Sequence, residues 1–262
     1  MFSFDGAWTQ MYDELKDKYA LVTGGTRGFG RAIALRLAKE GVFVVVNYRR
    51  SKTEAYEVVD QIAQSGGRAI AIRADVGNGD SLDALFREID QRFGRLDIVV
   101  ANAAFGVPGA LLDSTDRHWD VTMAASARSL LDLSKRAVPL MSHGWGRIIS
   151  ITSEGAQRVL PGYGIVGAAK GALEALTRSL AVELAPQGIR VNGVLAGLSD
   201  TKSFRAIPGA EDAIREAEKR TPVGRTVLPE DVANVVAFLA SNEASMICGQ
   251  FITVDGGRAV LG

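Results

Sequence analysis

One tyrosine and one lysine share the segment GYGIVGAAKGALEAL, residues 162–176, with Tyr163 seven positions ahead of Lys170. Seven residues of α-helix turn a side chain through about 700°, close to two revolutions, so a helix here sets the phenol and the ammonium on one face. A phenol ordinarily ionises near ~10 and does so more easily beside a cation. The pair could therefore give a hydrogen bond or a proton to an oxygen on which negative charge builds. Ser153 closes the run GRIISITS and offers a hydroxyl to the same chemistry, or else satisfies a turn at a strand end. Pro161 and Gly162 suggest that Tyr163 opens its helix. A tyrosine that only packs in a core or an interface is the competing reading.

A second constellation lies near the start. TGGTRGFGRAIALRLA puts Gly24, Gly28 and Gly30, with Thr26, Arg27 and Phe29 among them, between an apolar run and an amphipathic one. A glycine turn joining a strand to a helix lets backbone N–H groups and the helix N-terminus approach a pyrophosphate, so dinucleotide binding is expected. The next apolar run ends VVVNYRRSK, without the acidic residue that would hold both hydroxyls of an adenosine ribose. Arg49, Arg50, Ser51 and Lys52 stand there instead, and with Arg27 they suit a 2′-phosphate, which guanidinium groups pair by charge-assisted hydrogen bonds. NADPH is expected over NADH; solvated charges at a helix start would look the same. Asp75 and Val76 in ADV, and Asn102 in ANAA, end further runs and either line the adenosine side or cap turns.

Elements that could position these groups are legible. YALVTG, VFVVVN, RAIAIRADV, LDIVVANAA, GRIISITS, IRVNGVLAG and GQFITVDGG read as strands, with helical patterns between them. Ile33 and Leu37 share a helix face with Phe29, and Gly41 follows Glu40 where that helix should stop. Runs so rich in Val, Ile and Ala are buried on both sides. The expected fold class is α/β: a single-domain Rossmann-type doubly wound parallel sheet of about seven strands with helices on both faces. Residues 1–17 read as an N-terminal extension, and 18–262 as the dinucleotide-binding body. An irregular stretch at about 197–221 falls beyond a strand's carboxyl end, where it would serve as a substrate lid.

Composition narrows the function. Thirty Lys and Arg balance thirty Asp and Glu, so no long-range field gathers nucleic acid or an anionic membrane. The lone Cys248 has no internal disulfide partner and no companion ligands at metal spacing, so no metal is expected. With no apolar run of signal-peptide or membrane-span length, the expectation is a soluble, cytoplasmic protein.

The glycine loop, ADV, ANAA, ISITS, the Tyr/Lys helix, IRVNGVLAG and GQFITVDGG occur in an order that resembles the short-chain dehydrogenase/reductase family over about residues 18–260. That resemblance implies a catalytic group of Ser153, Tyr163 and Lys170, with Lys170 also on the nicotinamide ribose and Thr201 on the cofactor. Most members carry Tyr-x-x-x-Lys, a spacing that falls on Val166 here. Family members that reduce enoyl-acyl-carrier-protein, above all the NADPH-dependent type III, resemble this chain in Tyr-x6-Lys, HWD, VGAAKGALEALTRSLAVEL, TPVGR and VDGGR. Ser126 stands where members often have an asparagine that relays protons, and a hydroxyl cannot reproduce an amide's donors and acceptor.

The spacing has a chemical rationale. A ketoreductase protonates the oxygen on the carbon that receives hydride. In an enoyl thioester, hydride goes to the β-carbon while charge appears on the thioester oxygen, two carbon–carbon bonds away, so the acid must stand farther from the hydride donor. Reduction of trans-2-enoyl thioesters of acyl carrier protein or coenzyme A, in fatty-acid or polyketide assembly, is the leading expectation. A ketoreductase with a reshaped pocket and a non-catalytic cofactor-binding protein are the alternatives, and the family implies a homotetramer. Lys202, Arg205, Arg215, Lys219 and Arg220 in the lid could greet a phosphopantetheine or an acidic carrier. Glu211, Asp212, Glu216 and Glu218 between them also fit an ordinary solvated helix. His118 and Trp119 read as packing or capping residues, and Trp145 as a turn residue.

Overall fold

All seven apolar runs form strands, because alternate side chains along each of them are wanted on both faces of one sheet. Ala20, Val22, Val44, Val46, Ile98 and Val100 join one buried cluster, and the intervening Leu21, Val45 and Val99 join another. The computed structural model describes residues 11–141, 144–205 and 209–261. Its strands are β1 (Tyr19–Val22), β2 (Phe43–Tyr48), β3 (Arg68–Arg73), β4 (Ile98–Ala101), β5 (Gly146–Ser153), β6 (Ile189–Ala196) and β7 (Phe251–Val254). Every pairing is parallel, in the order β3-β2-β1-β4-β5-β6-β7. Helices α1 (Gly28–Lys39), α2 (Lys52–Gln64) and α9 (Pro229–Ala240) cover the first face. On the second lie α3 (Gly79–Phe93), α5 (Ser129–Ala137) and α6 (Gly164–Leu184).

Local signals behave as the chemistry demands. Ile33 and Leu37 on α1 are wholly buried, each contributing about 2 kcal/mol of apolar transfer. That helix ends at Lys39, and Gly41 takes a left-handed φ of 81°. The chain leaves β1 towards β2 and β3 on one side, then returns to build β4 to β7 on the other. The loops beyond β1 and β4 part at this reversal and open a crevice at the carboxyl edge of the sheet.

Two expectations change. The boundary expected at residue 18 lies inside the packed body, since Leu15 is fully buried and Glu40 Oε2 accepts from the backbone N–H of Met11 (2.7 Å) and Tyr12 (2.8 Å). Residues 1–10 of the expected extension lie outside the described residues. Trp145 is a packing residue rather than a turn residue. Its ring lies 4.2 Å from Lys18 Nζ and 4.2 Å from Arg147 Cζ, and its N–H donates to Asn242 Oδ1 at 2.9 Å. Among the described residues, no helix is long and apolar enough to cross a membrane, and no cluster of His, Cys, Asp and Glu could hold a metal.

Candidate active site

Strand β5 and helix α6 together carry the three groups singled out in the sequence. Gly162 takes a left-handed φ of 71°, which ends the loop from β5 and lets the helix begin at Gly164. Tyr163 is therefore the N-cap rather than a first-turn residue, and its carbonyl accepts the first helical bond from Gly167 N–H at 2.7 Å. Its hydroxyl lies 3.2 Å from Ser153 Oγ at the end of β5, within hydrogen-bond distance. Lys170 is buried, and its Nζ donates to Ile151 O at 2.7 Å, two residues before Ser153 on the same strand.

The electrostatics differ from the sequence expectation. Burial raises the Tyr163 pKa, and the Ser153 hydrogen bond lowers it only in part, so the phenol keeps its proton at neutral pH. Lys170 is brought down to about 8 by burial, opposed by the Glu174 carboxylate one turn along α6. Glu174 is itself buried and accepts from Thr152 Oγ1 at 3.0 Å. The expected easing of Tyr163 ionisation by Lys170 is thus not what this arrangement does; the ammonium is spent on a strand carbonyl.

Glycines that sequence reasoning passed over shape the seat of the phenol. A Cβ on Gly155 would stand 2.4 Å from Cδ1 of the Tyr163 ring, and one on Gly167 would stand 2.5 Å from Gly155 O. Both absences let ring, turn and helix close on one another. A glycine inside a helical pattern, as Gly167 is, was the available signal. Val166, where most family members have tyrosine, is buried against Gly106, whose own Cβ would meet Val166 Cγ2 at 2.3 Å. The usual phenol position is thus filled by a packed isopropyl group. Ser126 lies in a π-helical segment, Ala124–Arg128, between α4 (Asp116–Met123) and α5. It accepts from Phe105 N–H (3.1 Å) and donates to Phe105 O (2.8 Å), so its hydroxyl hydrogen holds the loop beyond β4 and is not free to relay protons. His118 caps α4 reciprocally with Thr115.

The glycine loop fits a dinucleotide. Gly24 and Gly28 have left-handed φ values of 62° and 51°, and a Cβ on Gly30 would come 2.2 Å from Gly24 O. Asn102 Nδ2 donates to Thr23 O (2.8 Å) and Gly24 O (3.2 Å), tying β4 to the loop. Thr26 is buried, Phe29 packs partly against the first cluster, and Thr201 sets its methyl group beside Gly28. Arg27 in the glycine loop and Arg50 just beyond β2 are exposed without a carboxylate partner among the described residues, and Ser51 caps α2 with no side-chain hydrogen bond. Each of the three stands at or next to a helix N-terminus, Arg27 at that of α1 and Arg50 and Ser51 at that of α2, and their donors suit a phosphate. Arg49 is instead paired with Asp75 at 2.8 Å, and Asp75 also accepts from Gly77 N–H at 3.0 Å, so this carboxylate serves a turn. Val76 buries its side chain in the second cluster, which leaves only its main chain for a cofactor.

Beyond β6 the expected lid contains α7 (Lys202–Arg205) and α8 (Ala210–Arg220); its residues 206–208 and the side chain of Lys202 lie outside the description. Arg205 is doubly hydrogen-bonded to Asp200, and Arg215 pairs with Asp212. Lys219 and Arg220 have no such partner among the described residues.

Sheet order, glycine cradle and the Ser–Tyr–Lys grouping together define a class of nicotinamide-dependent oxidoreductase. The chain belongs to the short-chain dehydrogenase/reductase family: residues 24–259 match the family model described as Enoyl-(Acyl carrier protein) reductase. It is 38% identical over 244 residues to 1-cyclohexenylcarbonyl-CoA reductase of Streptomyces collinus, covering 92% of this chain and 87% of that protein. A solved short-chain dehydrogenase from Burkholderia cenocepacia in complex with NADP is 37% identical, with a TM-score of 0.86 over 94% of this chain and 99% of that one. LugOII, a promiscuous reductase catalysing keto-reduction at C1 in lugdunomycin biosynthesis, is 38% identical with a TM-score of 0.85, over 93% and 98% of the two chains.

Proposed function

We propose that the protein reduces the carbon–carbon double bond of trans-2-enoyl thioesters, with NADPH as the cofactor. The observation that carries this reading is the displaced phenol: Tyr163 sits at the helix cap against Ser153, while packed Val166 occupies the position from which a ketoreductase tyrosine would act. The cofactor, when bound, supplies the hydride. Tyr163, kept protonated by burial, donates a hydrogen bond to the thioester oxygen and is the proton source for the enolate that forms there. Ser153 holds the phenol in place from the end of β5. Arg27, Arg50 and Ser51 take the 2′-phosphate that distinguishes NADPH. The Streptomyces relative supports the substrate class, since its name specifies a thioester with a ring double bond beside the carbonyl. We extend the reading, on the family resemblance alone, to a cytoplasmic homotetramer serving fatty-acid or polyketide assembly.

A second reading has its own observation. Two hydroxyls 3.2 Å apart can hold a single ketone oxygen between them, and LugOII carries out keto-reduction. Loss of nicotinamide absorbance with a crotonyl thioester and with a β-keto thioester separates the two. Enoyl turnover is expected, falling by about 10²–10⁴-fold in Tyr163→Phe. Turnover of the β-keto compound alone would overturn the proposal.

A further inference from the structure

Against the loop that joins Ser153 to Tyr163 opens a cavity of about 590 Å³ whose walls come from three separate parts of the chain. Arg158, Leu160 and Pro161 belong to the loop that runs from Ser153 to Tyr163; Lys219 and Arg220 form the last turn of α8; Arg258 comes from the short C-terminal turn Arg258–Leu261. Two of the four cations meet one buried carboxylate, Glu154, which is ion-paired with Arg158 and lies 3.8 Å from Arg258. Glu154 thereby locks two of the cations into the wall, next to Ser153 in sequence. Lys219 and Arg220 are exposed and paired with no carboxylate among the described residues, even though Glu216 stands within one helical turn of each. Last-turn cations complement a helix dipole wherever they occur and Glu154 holds Arg158 and Arg258, yet the hollow still gathers four cations from three elements around that single carboxylate pairing. Leu160, Pro161 and the exposed Val159 add an apolar flank.

An apolar flank leading to an excess of guanidinium and ammonium suits a ligand with an uncharged arm that ends in a phosphate ester. We infer that this cavity binds the phosphate on the pantetheine arm of the thioester substrate, a group common to coenzyme A and to a carrier protein's prosthetic arm. The inference rests on the enoyl-thioester reading for its substrate, though not for its chemistry. The arm would lie along Leu160 and Pro161, with its thioester end towards Tyr163.

The test compares the full-length protein with Lys219→Ala/Arg220→Ala, since neither residue belongs to the catalytic group or the cofactor cradle. Four crotonyl thioesters serve as substrates: of N-acetylcysteamine, of phosphopantetheine, of coenzyme A and of a holo carrier protein. Loss of two charge-assisted contacts is expected to raise KM for every phosphate-bearing thioester by about tenfold or more. The N-acetylcysteamine thioester, kcat and the KM for NADPH should not change. A defect with phosphopantetheine and coenzyme A alike assigns the cavity to the shared phosphate; one confined to coenzyme A assigns it to the nucleotide phosphates. A defect confined to the carrier protein overturns the inference in favour of acidic side chains, and an equal defect with N-acetylcysteamine overturns it as well. If the wild type reduces none of the four, the proposed function has failed. Calorimetric titration with phosphopantetheine then decides the cavity: binding about tenfold weaker in the variant supports it, and equal binding rejects it.

Discussion

Gly155→Ala isolates the seating of the phenol from every other feature of the site. The backbone of Gly155 is not in the left-handed region, so alanine meets no conformational penalty there. Its methyl group, however, would stand 2.4 Å from Cδ1 and 2.5 Å from Cε1 of Tyr163, and 3.3 Å from Leu160 Cδ1. Packed carbons settle at about 3.5–4.0 Å, so the ring must retreat by roughly 1 Å or more. Ser153 stays on β5, and the 3.2 Å contact between its hydroxyl and the phenol is broken. A displacement of that size costs about 10²-fold in rate, and the crowding costs about 1–3 kcal/mol of stability. Steady-state turnover of the enoyl thioester at saturating NADPH reads the first, and urea unfolding reads the second. Because the methyl group acts through the ring, Gly155→Ala added to Tyr163→Phe should cost little further rate. Wild-type kcat in Gly155→Ala, or losses that multiply in the double variant, would refute the reasoning.

Two further expectations rest on charge. Burial lowers the Lys170 pKa from 10.5 to about 8, with Glu174 opposing, so the unfolded chain binds the proton more tightly than the fold does. Below pH 8 the charged lysine costs the fold about 3 kcal/mol, and the cost fades as pH rises towards 10.5. In urea unfolding, the stability of Lys170→Met relative to wild type should therefore fall by about 3 kcal/mol between neutral pH and about pH 10, and a pH-independent difference would contradict the assignment. Among the cations assigned to the 2′-phosphate, Arg27→Ala/Arg50→Ala should raise KM for NADPH by about 10–100-fold while leaving NADH use nearly unchanged. Arg49→Ala should do less, since that guanidinium is committed to Asp75. Equal effects on both cofactors would remove the 2′-phosphate from the account.

The strands were legible because β-branched runs bounded by glycine and asparagine admit few other readings, and the order of the motifs then implied the sheet. Pairing of Tyr163 with Lys170 was legible only as a shared helix face; that Lys170 spends its ammonium on Ile151 O depends on how closely α6 packs on β5, which no spacing encodes. Arg49 was read with the cations that suit a 2′-phosphate and Asp75 as lining the adenosine side or capping a turn; the turn is what Asp75 serves here, and neighbouring strand ends also bring these two opposite charges together. Gly155 and Gly106 escaped notice for a different reason. Their importance lies in side chains 8 and 60 residues further on, and a glycine announces a turn more readily than it announces what leans on it.

What the structure adds to the spacing argument is a common frame. Ser153 Oγ and Ile151 O project from one strand, and they fix a phenol at the N-cap of α6 and an ammonium two turns later. Moving the phenol from the helix body to its cap would ordinarily loosen it, since a capping residue lacks the helix's full set of backbone bonds. Here the Gly155 seat and the Tyr163 carbonyl bond to Gly167 restore that constraint. On the proposed enoyl chemistry, reach towards a more distant oxygen would come without loss of precision, because the positioning comes from an interior strand and a long helix rather than from a loop. Among the described residues, none in the lid hydrogen-bonds to this frame. Changes in α8 should accordingly be felt in how the substrate's carrier arm binds, and changes in β5 or at the cap of α6 in the chemical step itself.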